Sequence, residues 1–136
     1  MPDMINDIYM MHSKFGVKQW FEANKHDKEL MANYLAFRMS MVKEEYDETM
    51  EAIEAKDAEE VVDGLIDIIV FALGTLDIFN VDAGDAWNRI YRANMQKEPG
   101  VKSGRPNPYG LPDMLKPEGW VNPNHKGNHG DIPNAL

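Results

Sequence analysis

The stretch Val61-Val62-Asp63-Gly64-Leu65-Ile66-Asp67-Ile68-Ile69-Val70-Phe71-Ala72-Leu73 decides the fold. It lacks strand-like alternation and is apolar nearly all round, so it reads as a core helix interrupted by two acids four residues apart. Asp57 opens this helix, with Glu60 three residues on in capping-box spacing, and the helix reaches about Phe79, where Asn80 ends it. Upstream, a helix runs from about Asp27 to Ala55, unbroken by Pro or Gly. Before it we expect a loop containing Trp20 and Phe21, and a first helix from about Asp3 to Lys14 stopped by Gly16. Downstream, Asp82 caps a fourth helix to about Lys97, with Pro99 and Gly100 just beyond. The expected class is all-α.

Beyond residue 98 the grammar changes. Seven of the eight prolines and six of the ten glycines fall between Pro99 and Leu136, a composition that sustains neither helix nor ladder. Tyr109, Leu111, Met114, Leu115 and Trp120 nevertheless give this segment something to bury. We therefore expect a helical domain over 1–98 and an irregular arm over 99–136 that packs on the body or on a neighbouring subunit, its last ten residues loose.

The chain has 136 residues, no cysteine, and 14 Lys plus Arg against 23 Asp plus Glu, for a net charge of -9. One core fits that length. Disulfides, thiolate zinc and a cysteine nucleophile are excluded, and a reduced, cytoplasmic setting is the natural expectation. The acid excess disfavours sequence-independent binding to nucleic acid, and no segment is long and apolar enough to span a membrane.

Where the acids sit is more informative than how many there are. On the second helix Leu30, Tyr34, Phe37 and Met41 form an apolar stripe that continues into Glu45 and Glu48, with Glu44 at its edge and Asp47 and Glu54 opposite. On the third, Glu60, Asp63 and Asp67 share an arc of roughly 60° in line with Phe71 and Gly74. Burying unpaired carboxylates costs several kcal/mol, and only Lys43 and Lys56 are close by to neutralise them. Converging oxygens without cations suit a hard ion, Mg²⁺ or Mn²⁺. No histidine stands in Glu-x-x-His spacing, which points away from a di-iron site. Each acid also has a plainer explanation: a solvated helix edge for Glu44, the capping box for Glu60. On the fourth helix Asn94 interrupts the face of Trp87, Ile90 and Tyr91, with Lys97 flanking it, a pairing suited to sugar and phosphate but also to an ordinary helix end.

Glu44-Glu45-Tyr46-Asp47-Glu48 resembles the E-E-x-x-E mark of the all-α nucleoside triphosphate pyrophosphohydrolases, the superfamily of MazG-like proteins, phosphoribosyl-ATP pyrophosphohydrolase and dimeric dUTPases. The partner E-x-x-D motif matches Glu60-Val61-Val62-Asp63 literally. We favour instead the register that aligns Asp63 to Thr75 with the family's D-x-L-x-D, aromatic, G-T stretch. Gly64 then stands where the family has glutamate, leaving Asp63 or Glu60 to supply the fourth carboxylate. Asn94-Met95-Gln96-Lys97 resembles the family's N-M-x-K segment, and the arm looks like the extension of short MazG-like proteins, viral ones included.

The resemblance implies a MazG-like four-helix bundle that hydrolyses a (d)NTP to the monophosphate and pyrophosphate, acting in the cytoplasm, a host's if the protein is viral. It implies Mg²⁺ (Mn²⁺ as a substitute) held by Glu45, Glu48 and Asp67, with Asp63 and Glu60 as further ligands. Glu44 or Asp63 would serve as general base, so that Glu44 and Glu45 are the catalytic candidates. Lys97, Lys43, Arg105 and, more weakly, Arg38 would meet phosphate, and Asn94 the sugar. Trp20, in company with His12, Phe15 and Phe21, would stack on a base, or simply pack. A homodimer or homotetramer is expected. The alternatives are another diphosphate-bearing nucleotide, such as an alarmone or phosphoribosyl-ATP, and a catalytically silent helical adaptor. Against phosphoribosyl-ATP, Ile69-Val70-Phe71-Ala72 lacks the aromatic-histidine pair usual there.

Overall fold

The computed structural model describes residues 1–136 and is all-α, with five α-helices, a short two-stranded ladder and a 3₁₀ turn. No helix is long and apolar enough to cross a membrane. The chain forms two compact units, Met1–Ala83 with His129–Leu136, and Gly84–Asn128. The compositional change at residue 98 falls inside the second.

In the first unit α1 spans Met4–Lys14, its N-cap Asp3 accepting the Asn6 N–H at 3.0 Å. Gly16 adopts φ +75°, a left-handed conformation that a side chain would resist, and this lets the chain enter α2, Val17–Asn24, at once. The loop expected here is thus a helix. None of its eight residues is a breaker, and Phe21, fully buried, fastens it edge-on to Phe79 with ring centroids 5.1 Å apart.

Asp27 and Asp57 cap α3 (Lys28–Glu54) and α4 (Ala58–Ile78) as the sequence implies, accepting the Leu30 and Glu60 N–H groups. The reciprocal half of the capping box is missing, because the Asp57 N–H donates to the Ala52 carbonyl at 2.9 Å. Three residues join α3 to α4, with Lys56 at φ +56°, so the two helices fold back as a hairpin. They approach closely at Gly64, buried against Thr49, where a Cβ would run into the Thr49 hydroxyl.

The core gathers Phe21, Met31, Ile78, Phe79 and Ala135, flanked by Val17, Leu30, Tyr34, Leu35 and Ile132. It therefore sits where α4 ends and α3 begins. At the other end of the hairpin, Val62, Leu65, Ile66 and Ile69 on α4, with Tyr46, Met50 and Ile53 on α3, are exposed. The expectation of a helix buried on all sides fails for α4 within one chain, because too few elements are present to cover both its faces.

Residues His129–Leu136 return to the first unit and are not loose. The Asp131 N–H donates to the Phe79 carbonyl at 2.6 Å, the Asn80 amide to Asp131 at 2.6 Å, and the Asn134 amide to the Lys25 carbonyl at 3.0 Å. Ile132–Ala135 then forms a 3₁₀ turn that buries Ala135.

The second unit holds most of α5, Ala83–Met95, and the ladder of β1, Glu98–Gly100, with β2, Asp113–Leu115. The ladder corrects the expectation of none. It is only three residues long, with Pro99 opposite Met114, and Gly100 makes room for the Leu115 side chain. Trp120 donates its indole N–H to the Ala93 carbonyl at 2.7 Å, and Arg89 donates to the Asn124 and Lys126 carbonyls.

Deleting residues 129–136 should lower stability by about 1–3 kcal/mol, the value of the apolar surface they bury. Chemical denaturation of the full and shortened chains reads this directly; equal midpoints would mean the segment is no part of the core.

Candidate active site

Helices α3 and α4 meet through their smallest available surface, Gly64 against Thr49, and Thr49 spends its hydroxyl proton on the Glu45 carbonyl at 2.6 Å. That approach sets the acid-bearing faces of the two helices beside each other. The partly buried Glu45 records the result. Its carboxyl is pushed above the usual glutamate value, first by burial and then by the charges of Glu48, Asp67, Glu44 and Asp63. Two of those neighbours come from its own helix and two from α4. The structure therefore brings together five of the six acids singled out from the sequence.

Glu60 is the one left outside. It stands exposed in the first turn of α4, where a carboxylate suits the helix dipole, and it is not among the charges acting on Glu45. Gly64 has a steric reason to lack a side chain. A glutamate at that position would collide with Thr49, while Asp63, one residue earlier, is among the charges acting on Glu45.

None of the five takes part in an ion pair. Lys43, expected to lie close to them, pairs with Asp47 at 2.6 Å one turn along α3, on the side the sequence assigns to solvent. As the side chains lie, no three His, Asp or Glu residues are arranged so that they could hold a metal ion. The chemistry of the donor set nevertheless fits a hard divalent cation: oxygen only, mutually repelling, and without an organic cation.

Arg38 is buried and committed to the fold. It donates Nε to the Thr75 hydroxyl at 3.1 Å and Nη2 to the Phe71 carbonyl at 3.2 Å, and it lies over the Phe71 ring. Burial lowers its pKa, an effect that Tyr34 partly offsets. The Gly74-Thr75 pair is its seat, since a Cβ on Gly74 would stand 2.6 Å from Nη2. Two of the Arg38 donors thus have partners on α4 one and two turns beyond Asp67.

A polar link also joins α1 to α4. His12 Nδ1 lies 2.7 Å from Asp77, while Lys18 donates to the Asp77 carbonyl at 2.8 Å. Regular spacing cannot reveal such a pair, because its members are 65 residues apart. Of the aromatic candidates, Trp20 is partly exposed and packs on Tyr34 with centroids 4.7 Å apart, and Phe15 is exposed. Phe21 is wholly buried in the core, so it cannot meet a base.

Asn94, Lys97 and Arg105 belong to the second unit. Asn94 is partly buried, Arg105 is exposed, and the Lys97 ammonium stands 5.1 Å from the centre of the Trp120 ring. Charge divides sharply between the units. Gly84–Asn128 has seven basic and four acidic residues, net +3, and the rest of the chain seven and nineteen, net -12.

No curated protein and no solved structure matches the chain. A family model does match: residues 8–94 fit that of phosphoribosyl-ATP pyrophosphohydrolase, a family within the MazG-like all-α superfamily. The matched span takes in both acid-bearing helices and well over half of the sequence. The chain accordingly belongs to the phosphoribosyl-ATP pyrophosphohydrolase family and is a nucleotide pyrophosphohydrolase, a hydrolase of phosphoanhydride bonds.

Proposed function

We propose that the protein is a Mg²⁺-dependent nucleoside triphosphate pyrophosphohydrolase, converting (d)NTP and water to (d)NMP and pyrophosphate. The observation that supports this reading is that four carboxylates, Glu44, Glu48, Asp63 and Asp67, act on the carboxyl of Glu45 and that none of the five is in an ion pair. Glu45, Glu48, Asp63 and Asp67 would hold the ion. When bound, Mg²⁺ supplies positive charge against the phosphates and the departing pyrophosphate. Glu44, exposed beside Glu45, takes the proton of the attacking water as its oxygen bonds to the α-phosphorus. The bond from that phosphorus to the α–β bridging oxygen breaks, and its electron pair leaves with pyrophosphate. Trp20 offers a face to the base. Within the second unit, Lys97 and Arg105 carry charge suited to phosphate oxygens and Asn94 an amide suited to a sugar.

Phosphoribosyl-ATP is the runner-up substrate. Phe71, which fills part of the stretch where a histidine would be expected for it, serves as the shelf under Arg38. A screen of the eight common nucleotides, an alarmone and phosphoribosyl-ATP with Mg²⁺ decides among them, scoring pyrophosphate against orthophosphate. We expect metal-dependent pyrophosphate release from one or more triphosphates, lowered by about a hundredfold or more in Asp67→Asn. Orthophosphate as the sole product would overturn the reaction, and no turnover of any compound would favour the adaptor.

Assembly belongs to the same reading. Val62, Leu65, Ile66 and Ile69 fall on one face of α4, away from Asp63 and Asp67, and all are exposed. An apolar stripe of this kind on a helix hairpin suits a second copy of the chain, as a dimer or tetramer. Sedimentation of the wild type and of Val62→Glu/Leu65→Glu should show an oligomer and a monomer respectively; a monomeric wild type at micromolar concentration ends the idea.

The raised pKa of Glu45 carries a sign. A carboxyl that holds its proton more tightly when folded adds stability below its unfolded pKa, and this is lost as pH rises through the folded value. In metal-free protein, Glu45→Gln should therefore raise the melting midpoint at neutral pH. The gain should fade on acidification through the carboxylate range. A lower midpoint at neutral pH would show that the neighbouring charges do not repel Glu45.

A further inference from the structure

Trp120 carries two lysines. The ammonium groups of Lys97 and Lys116 each stand 5.1 Å from the centre of its ring. The ring itself is fixed, because its N–H donates to the Ala93 carbonyl in the last turn of α5 at 2.7 Å. One cation on an indole face is ordinary. Two on one ring repel each other, and carboxylates are near enough in the sequence to have relieved this. Glu98 adjoins Lys97 and Glu118 lies two residues from Lys116, yet neither lysine forms an ion pair. All these groups lie in the unit whose net charge is +3, inside a chain of -9.

We propose that Lys97 and Lys116, held on Trp120, form a binding site for a phosphate chain, with Lys116 as its second cationic contact and Trp120 as the positioning residue. The chemistry that fits is a linear di- or triphosphate. The two ammonium groups lie no more than about 10 Å apart, within the span of a linear polyphosphate, and a chain brings them more negative charge than a lone orthophosphate does. Lys116 is exposed, and its ammonium is a mobile point charge able to follow a flexible polyanion. The inference rests on the reading of Lys97 as a phosphate contact and extends it to a residue on the arm. It does not require the carboxylates.

The test is calorimetric titration of the full-length protein at low salt, with EDTA present, using inorganic orthophosphate, pyrophosphate and tripolyphosphate. EDTA removes divalent metal, so the α3–α4 acids can only repel the probe. Affinity should rise with chain length, and Lys116→Ala should weaken tripolyphosphate binding about tenfold, the loss of one charge-assisted contact. Lys116→Arg should retain most of it, and Trp120→Phe, which keeps a ring but loses the bond to Ala93, should fall between. Lys126→Ala, in the same unit, is the control. Equal losses in Lys116→Ala and Lys126→Ala would reduce the effect to general charge and overturn the site, as would affinity independent of chain length. Nucleotide turnover under Mg²⁺ is measured on the same variants. Turnover in the wild type without tripolyphosphate binding sinks this site alone; tripolyphosphate binding through Lys116 without turnover sinks the pyrophosphohydrolase reading alone.

Discussion

The structure depends on one close approach, Gly64 of α4 against Thr49 of α3. Packing distance between helices is set by the side chains at the crossing, and here one partner has none. Thr49 completes the contact by turning its hydroxyl back to its own helix, leaving no unsatisfied polar group in the seam. Glu45 and Glu48 are thereby brought to Asp63 and Asp67, and the elevated carboxyl of Glu45 is the electrostatic trace of that proximity. The cost of crowding like charges is met at the other end of the hairpin, where Phe21, Met31, Ile78 and Phe79 pack without a gap in their burial. Strain and adhesion are separated along one pair of helices.

Much of this was legible in the sequence, for identifiable reasons. Asp3, Asp27 and Asp57 announced three helix starts because a cap is a local event, set by a side chain and an N–H three residues away. The face on which Glu45, Glu48, Asp63 and Asp67 converge followed from helical period alone. The choice between Asp63 and Glu60 did not, because both share one arc and only the depth of the crossing separates them. The partners of Arg38 are hidden for a related reason. Its position near the acidic stripe is visible in projection, but its partners, the Thr75 hydroxyl and the Phe71 carbonyl, are set by tertiary contact.

Two failures concern context rather than pattern. The helix Val17–Asn24 is too short to declare itself by period, and it stands because Phe21 finds Phe79, 58 residues further along the chain. The end of the chain looked like solvent-loving sequence, yet Asn80 at φ +59° turns α4 out to meet Asp131, and a few hydrogen bonds to backbone order the rest. In both places the deciding partner lies far off in sequence, beyond what any window of neighbouring residues contains.

The return of residues 129–136 also orders events in time. Ala135 and Ile132 belong to the same core as Phe21 and Met31, so that core cannot close when α1 to α4 have been made. It waits until the intervening unit and then the last eight residues have left the ribosome. Until then Phe79 and its neighbours lack their final cover, and the apolar face of α4 is open as well. Chains in that state are the ones most exposed to premature contact with one another.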